Sequence, residues 1–581
     1  MSARAGAAGL GLGAILLAAL LGGCGDSPLT SPGSARRSLL IPPRGVVASV
    51  TITGVPAGSL AVGATVQLTA TARNSAGKRV IETMKWRSVD TSVVRVSAAG
   101  LVTAANPGRT LIVAGTRTVA DTVTATVVAA PATLTLSSPY PAMYLGQRIP
   151  LTVTALDEYY RPITGLYLVW TSSDPQKAAV DSVGTVVGAG AGPATITVAA
   201  GTRSSSVSLA VLARPVAEWS QAGVWGTFQG NARHTGFVAV SADPLSFRPL
   251  WEETVAQGVT LNPVTAADGK VFVTTNAYFG RQVLSVLNVQ TGGTQWTREF
   301  EGFIHGVHPP AYGDGRVYVT TSGHGDSFLW GFDASSGTQR VKSPYSNQWS
   351  RYFAPVVADG KVHMAGGYYG GMYAFRTDGG LAWWVDTNQY DEWTPAVDGG
   401  LVYAYTGSYS PKLTVVNAAT GALAYEIPDP NFSWNGWSMG GAPVLGAAGN
   451  VLATQAGRLI SFDLAGRKIG WELAGQFAGG VTVADGVLYV VNDGHVEARR
   501  ESNGTLLWSW TPPVTAGRVT GTTVVTRNLL FVSTYSYTYA VDLSARQHTW
   551  SYPAGGHLAL SGDGVLLIAQ PNGKVAAIGV R

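Results

Sequence analysis

From Pro263 to the C-terminus one phrase recurs: an apolar strand, a tight turn, a second strand, a third strand, then a polar turn ending in Gly and an aromatic residue. The copies open at Pro263, Pro310, Pro355, Pro395, Pro443, Val481, Thr523 and Leu558, as in Pro310-Ala-Tyr-Gly-Asp-Gly-Arg-Val-Tyr-Val and Val481-Thr-Val-Ala-Asp-Gly-Val-Leu-Tyr-Val. Asp-Gly and Arg-Asn between apolar runs are hairpin signals, because tight hairpin turns need residues that accept positive φ. Typical closing phrases are Asn288-Val-Gln-Thr-Gly-Gly-Thr-Gln-Trp296 and Glu501-Ser-Asn-Gly-Thr-Leu-Leu-Trp508. A four-strand unit repeated in this way predicts a β-propeller of eight blades. The eighth copy stops at Val575-Ala-Ala-Ile-Gly-Val580, one strand short, and Phe247–Val255 upstream of copy one is expected to supply that strand and leave no open sheet edge. The recurring tryptophans 296, 384, 471, 508 and 550 are read as blade staples, and the alternation of Tyr535, Tyr537 and Tyr539 as packing.

Over about residues 218–581 this pattern resembles the pyrroloquinoline-quinone-like (PQQ-like) propeller repeat. The lead-in Trp225-Gly-Thr-Phe-Gln-Gly-Asn-Ala-Arg-His234-Thr-Gly236 is similar to the phrase that precedes the first blade in that superfamily. The resemblance implies one of two classes: quinoprotein alcohol dehydrogenases, or non-catalytic scaffolds such as the lipid-anchored propeller subunit of the outer-membrane β-barrel assembly machinery. The first class implies a tryptophan platform under the quinone, a calcium held by acidic and amide side chains, an Asp base and often a vicinal disulfide. The chain has one cysteine and cannot form that disulfide within a monomer. Asp391-Glu392 beside Trp393 is the nearest approach to an acidic cage, so no cofactor, no metal and no catalytic residue is expected. A PQQ- and calcium-dependent periplasmic oxidoreductase is the alternative.

The first 24 residues read as an address. Arg4 precedes an apolar run from Leu10 to Leu21, too short for the ~20 residues of a membrane span, and Leu21-Gly-Gly-Cys24 resembles a bacterial lipobox, which implies lipidation of Cys24. Residues 25–46, rich in Ser, Pro, Gly and Arg, form a tether. Of the 581 residues 46% are hydrophobic, 13% are charged and 73 are Gly, as suits an all-β chain dense in turns. The net charge of +5 is spread among strands rather than gathered in basic runs, which argues against nucleic-acid binding.

Residues 47–130 and 131–213 repeat a second unit. Its phrases are Val62-Gly-Ala-Thr-Val-Gln-Leu, Lys85-Trp86-Arg-Ser-Val-Asp90, Gly100-Leu-Val-Thr and Pro107-Gly-Arg-Thr-Leu-Ile; then Leu145-Gly-Gln-Arg-Ile-Pro-Leu, Val169-Trp170-Thr-Ser-Ser-Asp174, Gly184-Thr-Val-Val and Gly192-Pro-Ala-Thr-Ile. Both resemble the bacterial immunoglobulin-like group 2 domain, which implies small β-sandwiches with an inward Trp on a middle strand, used here as spacers. The predicted architecture is thus all-β: two tandem immunoglobulin-like β-sandwiches followed by an eight-bladed β-propeller.

The connections entering each blade gather on one face of a propeller. They carry His305, His308, Trp349, Arg351, Tyr352, Tyr390, Glu392, Trp393, Trp434, Trp437, Phe477 and Arg518. Flat rings beside amides, Arg and Glu suit a peptide, a sugar or a planar cofactor, so these residues are the candidate ligand funnel; the competing account is that the rings pack between blades. His305, His308 and His324-Gly-Asp326 lack the fourth ligand a metal site requires. The expected role is a lipid-anchored, exported, non-enzymatic scaffold for an envelope protein or glycan, on the outer membrane and facing the periplasm or the surface, with a surface adhesin as a further alternative.

Overall fold

The computed structural model describes residues 46–581 apart from 221, 279, 302, 303, 324, 348–353, 367–369, 388–392, 407–409, 433–441, 521 and 522. Their regular structure is β-strand, with two short 3-10 turns and no α-helix among the described residues.

The first sandwich pairs Ser49–Thr53 with Thr69–Arg73, and sets Leu60–Ala61, Ala120–Val128, Gly108–Gly115 and Lys85–Ser88 side by side in a second sheet. Thr65–Gln67, Leu101–Ala104 and Val94–Val96 form the third. The second sandwich repeats that order with Thr133–Ser137 and Thr152–Leu156; Ala142–Tyr144, Arg203–Leu212, Gly192–Ala200 and Val169–Ser172; and Arg148–Pro150, Thr185–Gly188 and Ala178–Val180. Trp86 and Trp170 lie on edge strands of their sheets, not on middle strands, yet both pack on their cores. Each covers a turn glycine, Gly100 at φ +83 and Gly184 at φ +86, where a Cβ would come within 2.9 and 2.5 Å of the indole. The phrases Gly100-Leu and Gly184-Thr repeat because the tryptophan requires them.

The propeller has eight four-stranded antiparallel blades. Blade 1 is Thr265–Ala267, Lys270–Thr274, Gln282–Asn288 and Thr294–Phe300; blades 3, 4 and 7 follow the same order, and blade 2 does so with an added short strand, Ile304–Val307, that also pairs with its second strand, Arg316–Gly323. Blades 5 and 6 are joined by one continuous strand, Lys468–Ala484. Blade 8 is completed by Arg248–Thr254, which pairs antiparallel with Lys574–Gly579 from Arg248 opposite Gly579 to Thr254 opposite Lys574. Both chain segments therefore close the ring, as the short eighth copy predicted. The first strands of successive blades touch in sequence, and His557–Leu560 of blade 8 touches Thr265–Ala267 of blade 1. Hairpin turns between first and second strands hold Asp268, Asp314, Asp359 and Asp485 at φ 49 to 53, each followed by Gly at φ 69 to 75; this is the double-positive-φ turn expected of Asp-Gly.

Four closing tryptophans staple one blade to the next. Trp251, Trp296, Trp383 and Trp471 donate their indole N–H to the carbonyls of Val289, Ala334, Ala418 and Glu501, at 2.9 to 3.1 Å, in the polar turn of the following blade. Each indole lies over that turn's glycine: Gly292, Gly337, Gly421 and Gly504 respectively. The staple of blade 3 is Trp383, not Trp384, which is 48% exposed; adjacent strand residues point to opposite faces, so only one of the pair can reach the neighbour. Trp508 packs on Tyr489, and Trp550 on Phe247 and Tyr552.

Inside the ring lies the lead-in. The backbone N–H groups of Ala266, Tyr312, Val397, Leu445, Val483 and Val525 donate to the carbonyls of Trp225, Gly226, Ala232, Arg233, Thr235 and Gly236, and Thr227 Oγ1 donates to Pro355 O. One short segment thus visits the free edges of the first strands of blades 1 to 7, which satisfies backbone groups that would otherwise face the axis. Buried His234 stands between the carbonyls of Phe228, 2.7 Å from Nδ1, and Pro395, 2.9 Å from Nε2.

The second sandwich is docked on blade 7. Tyr144 is fully buried and donates to Asp542 Oδ2 at 2.8 Å, Tyr140 meets the His548 ring edge-on at 6.0 Å, and Arg214 pairs with Asp243 at 2.6 Å. Asp542 and His548 flank the turn between the third and fourth strands of blade 7. Strand direction puts that turn on the same face as the Asp-Gly hairpins and opposite the connections that cross from blade to blade. We call these the turn face and the crossover face.

Candidate functional site

The crossover face gathers the inter-blade connections and the hairpins between second and third strands. Of the twelve funnel residues, Trp349, Arg351, Tyr352, Tyr390, Glu392, Trp434 and Trp437 lie outside the described residues, as do His324 and Cys24; for His305 the backbone alone is described. The remaining four separate. His308 is buried, with Nε2 3.2 Å from Ser322 Oγ. Phe477 is buried, with the Arg499 guanidinium 5.5 Å from its ring centre. Trp393 is 0% exposed and packs into the core shared by blades 3, 4 and 5. These three rings pack inside the ring rather than line an open funnel: His308 and Trp393 sit where the connections turn inward before the first strand, and Phe477 lies within the continuous strand Lys468–Ala484. Arg518 alone is on the surface: its side chain is 76% exposed and pairs with Asp493 at 3.1 Å.

Two exposed rings on this face were read otherwise or passed over. Tyr535, expected to pack with its neighbours, is 72% exposed, whereas Tyr539 is buried; Tyr278 of blade 1 is 47% exposed. Tyr535 sits at the hairpin tip, where strand alternation no longer dictates which way a side chain points.

A partly buried ionic cluster also escaped the sequence reading. Arg458 makes paired hydrogen bonds to both oxygens of Asp429 at 3.0 Å and a third to Glu472. Tyr405 donates to the same Asp429, whose side chain is 0% exposed, and Asn431 donates to Glu472 at 2.6 Å. Burial opposes the charge on Arg458, but the bonds from Asp429 and Glu472 outweigh it and raise its pKa, so the group stays a cation. The fork geometry fixes the start of the connection into blade 5 to the hairpin of blade 5 itself. Arg458 and Glu472 meet across neighbouring strands of blade 5 and Asp429 joins them from the end of blade 4, all three within unremarkable phrases.

Among the described residues, no group of three or more His, Cys, Asp or Glu side chains is placed to hold a metal ion. Buried histidines titrate low. His363 is pushed down to about 4, chiefly by burial and then by Lys361; burial likewise lowers His234, His548 and His557. A histidine whose folded pKa is depressed contributes stability that is complete above its unfolded pKa of about 6.5 and is lost as pH falls towards the folded value. The head is therefore expected to lose stability between about pH 6.5 and pH 4, with His363 alone contributing roughly 3 kcal/mol. Denaturant melts across that range will check this, and His363→Leu should flatten the slope.

Residues 234–355 and 427–554 match the family model of the outer membrane protein assembly factor BamB, and residues 46–127 that of the bacterial Ig-like domain, group 2. Among solved structures, quinohemoprotein alcohol dehydrogenase from Comamonas testosteroni is similar at 14% identity and TM-score 0.51, over 62% of this chain and 81% of that one. BamB from Moraxella catarrhalis is similar at 16% identity and TM-score 0.44, over 57% and 99% of the two chains. A europium-containing methanol dehydrogenase is similar at 12% and 0.48, over 62% and 98%. No curated protein matches the chain. The chain carries a group 2 bacterial Ig-like domain and a propeller of BamB-like repeats, and at these identities the likeness to solved structures concerns the fold alone.

Proposed function

We propose that this chain is an exported, lipid-anchored scaffold whose propeller binds an envelope protein through its crossover face and performs no chemistry of its own. The carrying observation is the docking of the second sandwich on the turn-face side of blade 7 through the buried Tyr144–Asp542 bond, which sets the sandwich on the side of the ring opposite the crossover face. A protein–carboxylate bond of this kind, buried and supported by Thr549 and Ser544, costs more to break than an exposed one, so the sandwiches act as a rigid spacer. The match to the BamB family model supports a protein-binding role, and the match to a group 2 Ig-like domain supports an extracytoplasmic one. Lipidation of Cys24 completes the reading: tether, two sandwiches and head in line from the membrane.

Quinone-dependent oxidation is the second reading, favoured by the fold likeness to an alcohol dehydrogenase. Asp429 and Glu472 do not offer a calcium cage, since both are already committed to Arg458. One experiment addresses both readings. A photocrosslinking residue at Tyr278 or Tyr535 should give an adduct with an envelope protein in intact cells, whereas one at Asp268 or Asp485 on the turn face should not. Cys24→Ala should move the chain to the soluble fraction and abolish the adduct. Adducts from the turn face alone, or dye-linked alcohol oxidation by the purified chain with quinone and calcium, would overturn the proposal.

A further inference from the structure

The two sandwiches are copies, and their contact shows which end of the unit docks. In the second copy Val169 pairs with Ala199, so the loop before Val169 lies beside the hairpin after Ala200, and both meet the first copy. Ser59 N donates to Gly165 O and Tyr167 N to Ser59 O, each at 2.8 Å, and Tyr167 packs on the first core. A Cβ at Gly201 would collide with the Val62 carbonyl, and Thr202 sits against Gly63.

The first copy has the same end. Lys85 pairs with Gly115, so residues 81–84 adjoin the hairpin around Arg117 in the same way. The chain enters here too: Ala48 N donates to Arg73 O, and Arg73 pairs with Ser49 on one side and Arg79 on the other. Ile81 at this end is 92% exposed, and Arg73, Lys78, Arg79, Lys85 and Arg117 are all exposed. None of these five cations forms an ion pair among the described residues, whereas Arg161 and Lys177 of the second copy pair with Asp157 and Asp174. Of the nearby acids, Glu82 is half-buried and Asp121 accepts from Ile52 N at 2.7 Å.

Charge sets this end apart. Residues 47–130 hold eight Lys and Arg against three Asp and Glu, an excess equal to the +5 of the whole chain, and residues 131–213 hold four of each. The charge that is dispersed along the sequence is thus gathered in one sandwich. Where the first copy has Lys85 and Arg117, the second has Val169 and Gly201, so the fold itself does not require the cations. A docking end with a basic rim and an apolar Ile81 fits a surface that is anionic outside and apolar beneath, as lipid headgroups over acyl chains are. Residues 25–46, which link it to Cys24, are unsuited to cover it: Arg36, Arg37 and Arg44 outnumber Asp26 and repel the same cations.

We propose that this end of the first sandwich docks on the anionic headgroups of the membrane that holds the anchor, with Arg79, Lys85 and Arg117 on lipid phosphates and Ile81 in the interface. The membrane comes from the lipid-anchor reading above; the contact itself is electrostatic, and a chain without lipid retains it.

The test uses the chain from residue 25, made without its lipid, with vesicles of phosphatidylglycerol mixed into phosphatidylcholine and, as control, phosphatidylcholine alone. Co-sedimentation should show at least about tenfold stronger binding to the anionic vesicles at low salt, fading as salt rises. Lys85→Gln with Arg117→Gln should weaken that binding about thirtyfold, at about 1 kcal/mol per cation. Arg95→Gln with Arg109→Gln removes the same charge at the other end, where Arg109 lies beside the pairing of Val127 with Leu60, and Arg95 beside the Gly63–Ala104 bond. That pair should weaken binding less than about threefold. All four positions are exposed, so both variants should melt like the native chain. Equal binding to the two kinds of vesicle, or equal losses in the two variants, overturns the docking. The anchor is judged separately, by whether a high-salt wash releases Cys24→Ala but not the native chain from cell membranes.

Discussion

Replacing Trp393 by alanine is expected to destabilise the propeller by about 3–5 kcal/mol, the range for truncating a large buried aromatic. The side chain is fully buried and meets the core of three blades, so no neighbouring side chain can close the space it leaves. Its indole nitrogen is also buried with no hydrogen-bond partner among the described residues. Trp393→Phe should accordingly be mild, since it keeps most of the ring and removes an orphaned N–H whose burial costs about 1–3 kcal/mol. Urea unfolding of the two variants will separate packing from ligand contact. A near-native stability for Trp393→Ala would mean that the ring faces a funnel after all.

The second large effect concerns closure. A chain that begins at residue 257 lacks both Arg248–Thr254 and the lead-in, leaving Lys574–Gly579 as an exposed edge and the first strands of seven blades without their axial partner. It should aggregate and show no cooperative melt, because an unpaired strand of Val, Ala and Ile is a template for pairing with another chain. A chain that begins at Arg214 loses both sandwiches and the Tyr144–Asp542 bond, but keeps Arg214–Asp243 and every strand of the ring. It should stay soluble and melt in one transition. Size-exclusion chromatography and calorimetry on the pair will decide, and a soluble, cooperative chain from residue 257 would argue that the ring closes without its upstream strand.

Much of the architecture was legible because repetition multiplies weak signals. One Asp-Gly pair is a modest turn prediction, but eight strand-turn-strand phrases in register, with the last one short, specify both blade number and closure. The sandwiches were legible for the same reason: Gly100 and Gly184 recur because an indole covers each turn. The candidate site was less legible. The funnel reading treated rings in connections as surface rings, whereas His308, Trp393 and Phe477 are buried and Tyr535, assigned to packing, is exposed. A ring in a connection is apolar enough for a core and polar enough for a rim, and residue type does not choose between them.

What the sequence by itself determined is therefore local and periodic: strands from alternation, turns from positive-φ residues, blade count from repeats, and the missing strand from an incomplete repeat. The tertiary structure decided whatever depends on residues remote in sequence meeting around a ring. Those meetings include the choice of Trp383 over Trp384 as a staple, the lead-in laid along seven inner strands, the Asp429–Arg458–Glu472 cluster, and the clamp of Tyr144 on Asp542. The physical reason is that alternation and turn chemistry act over a few residues, whereas the neighbour of a side chain at a blade boundary is set by the twist and closure of the whole sheet ring.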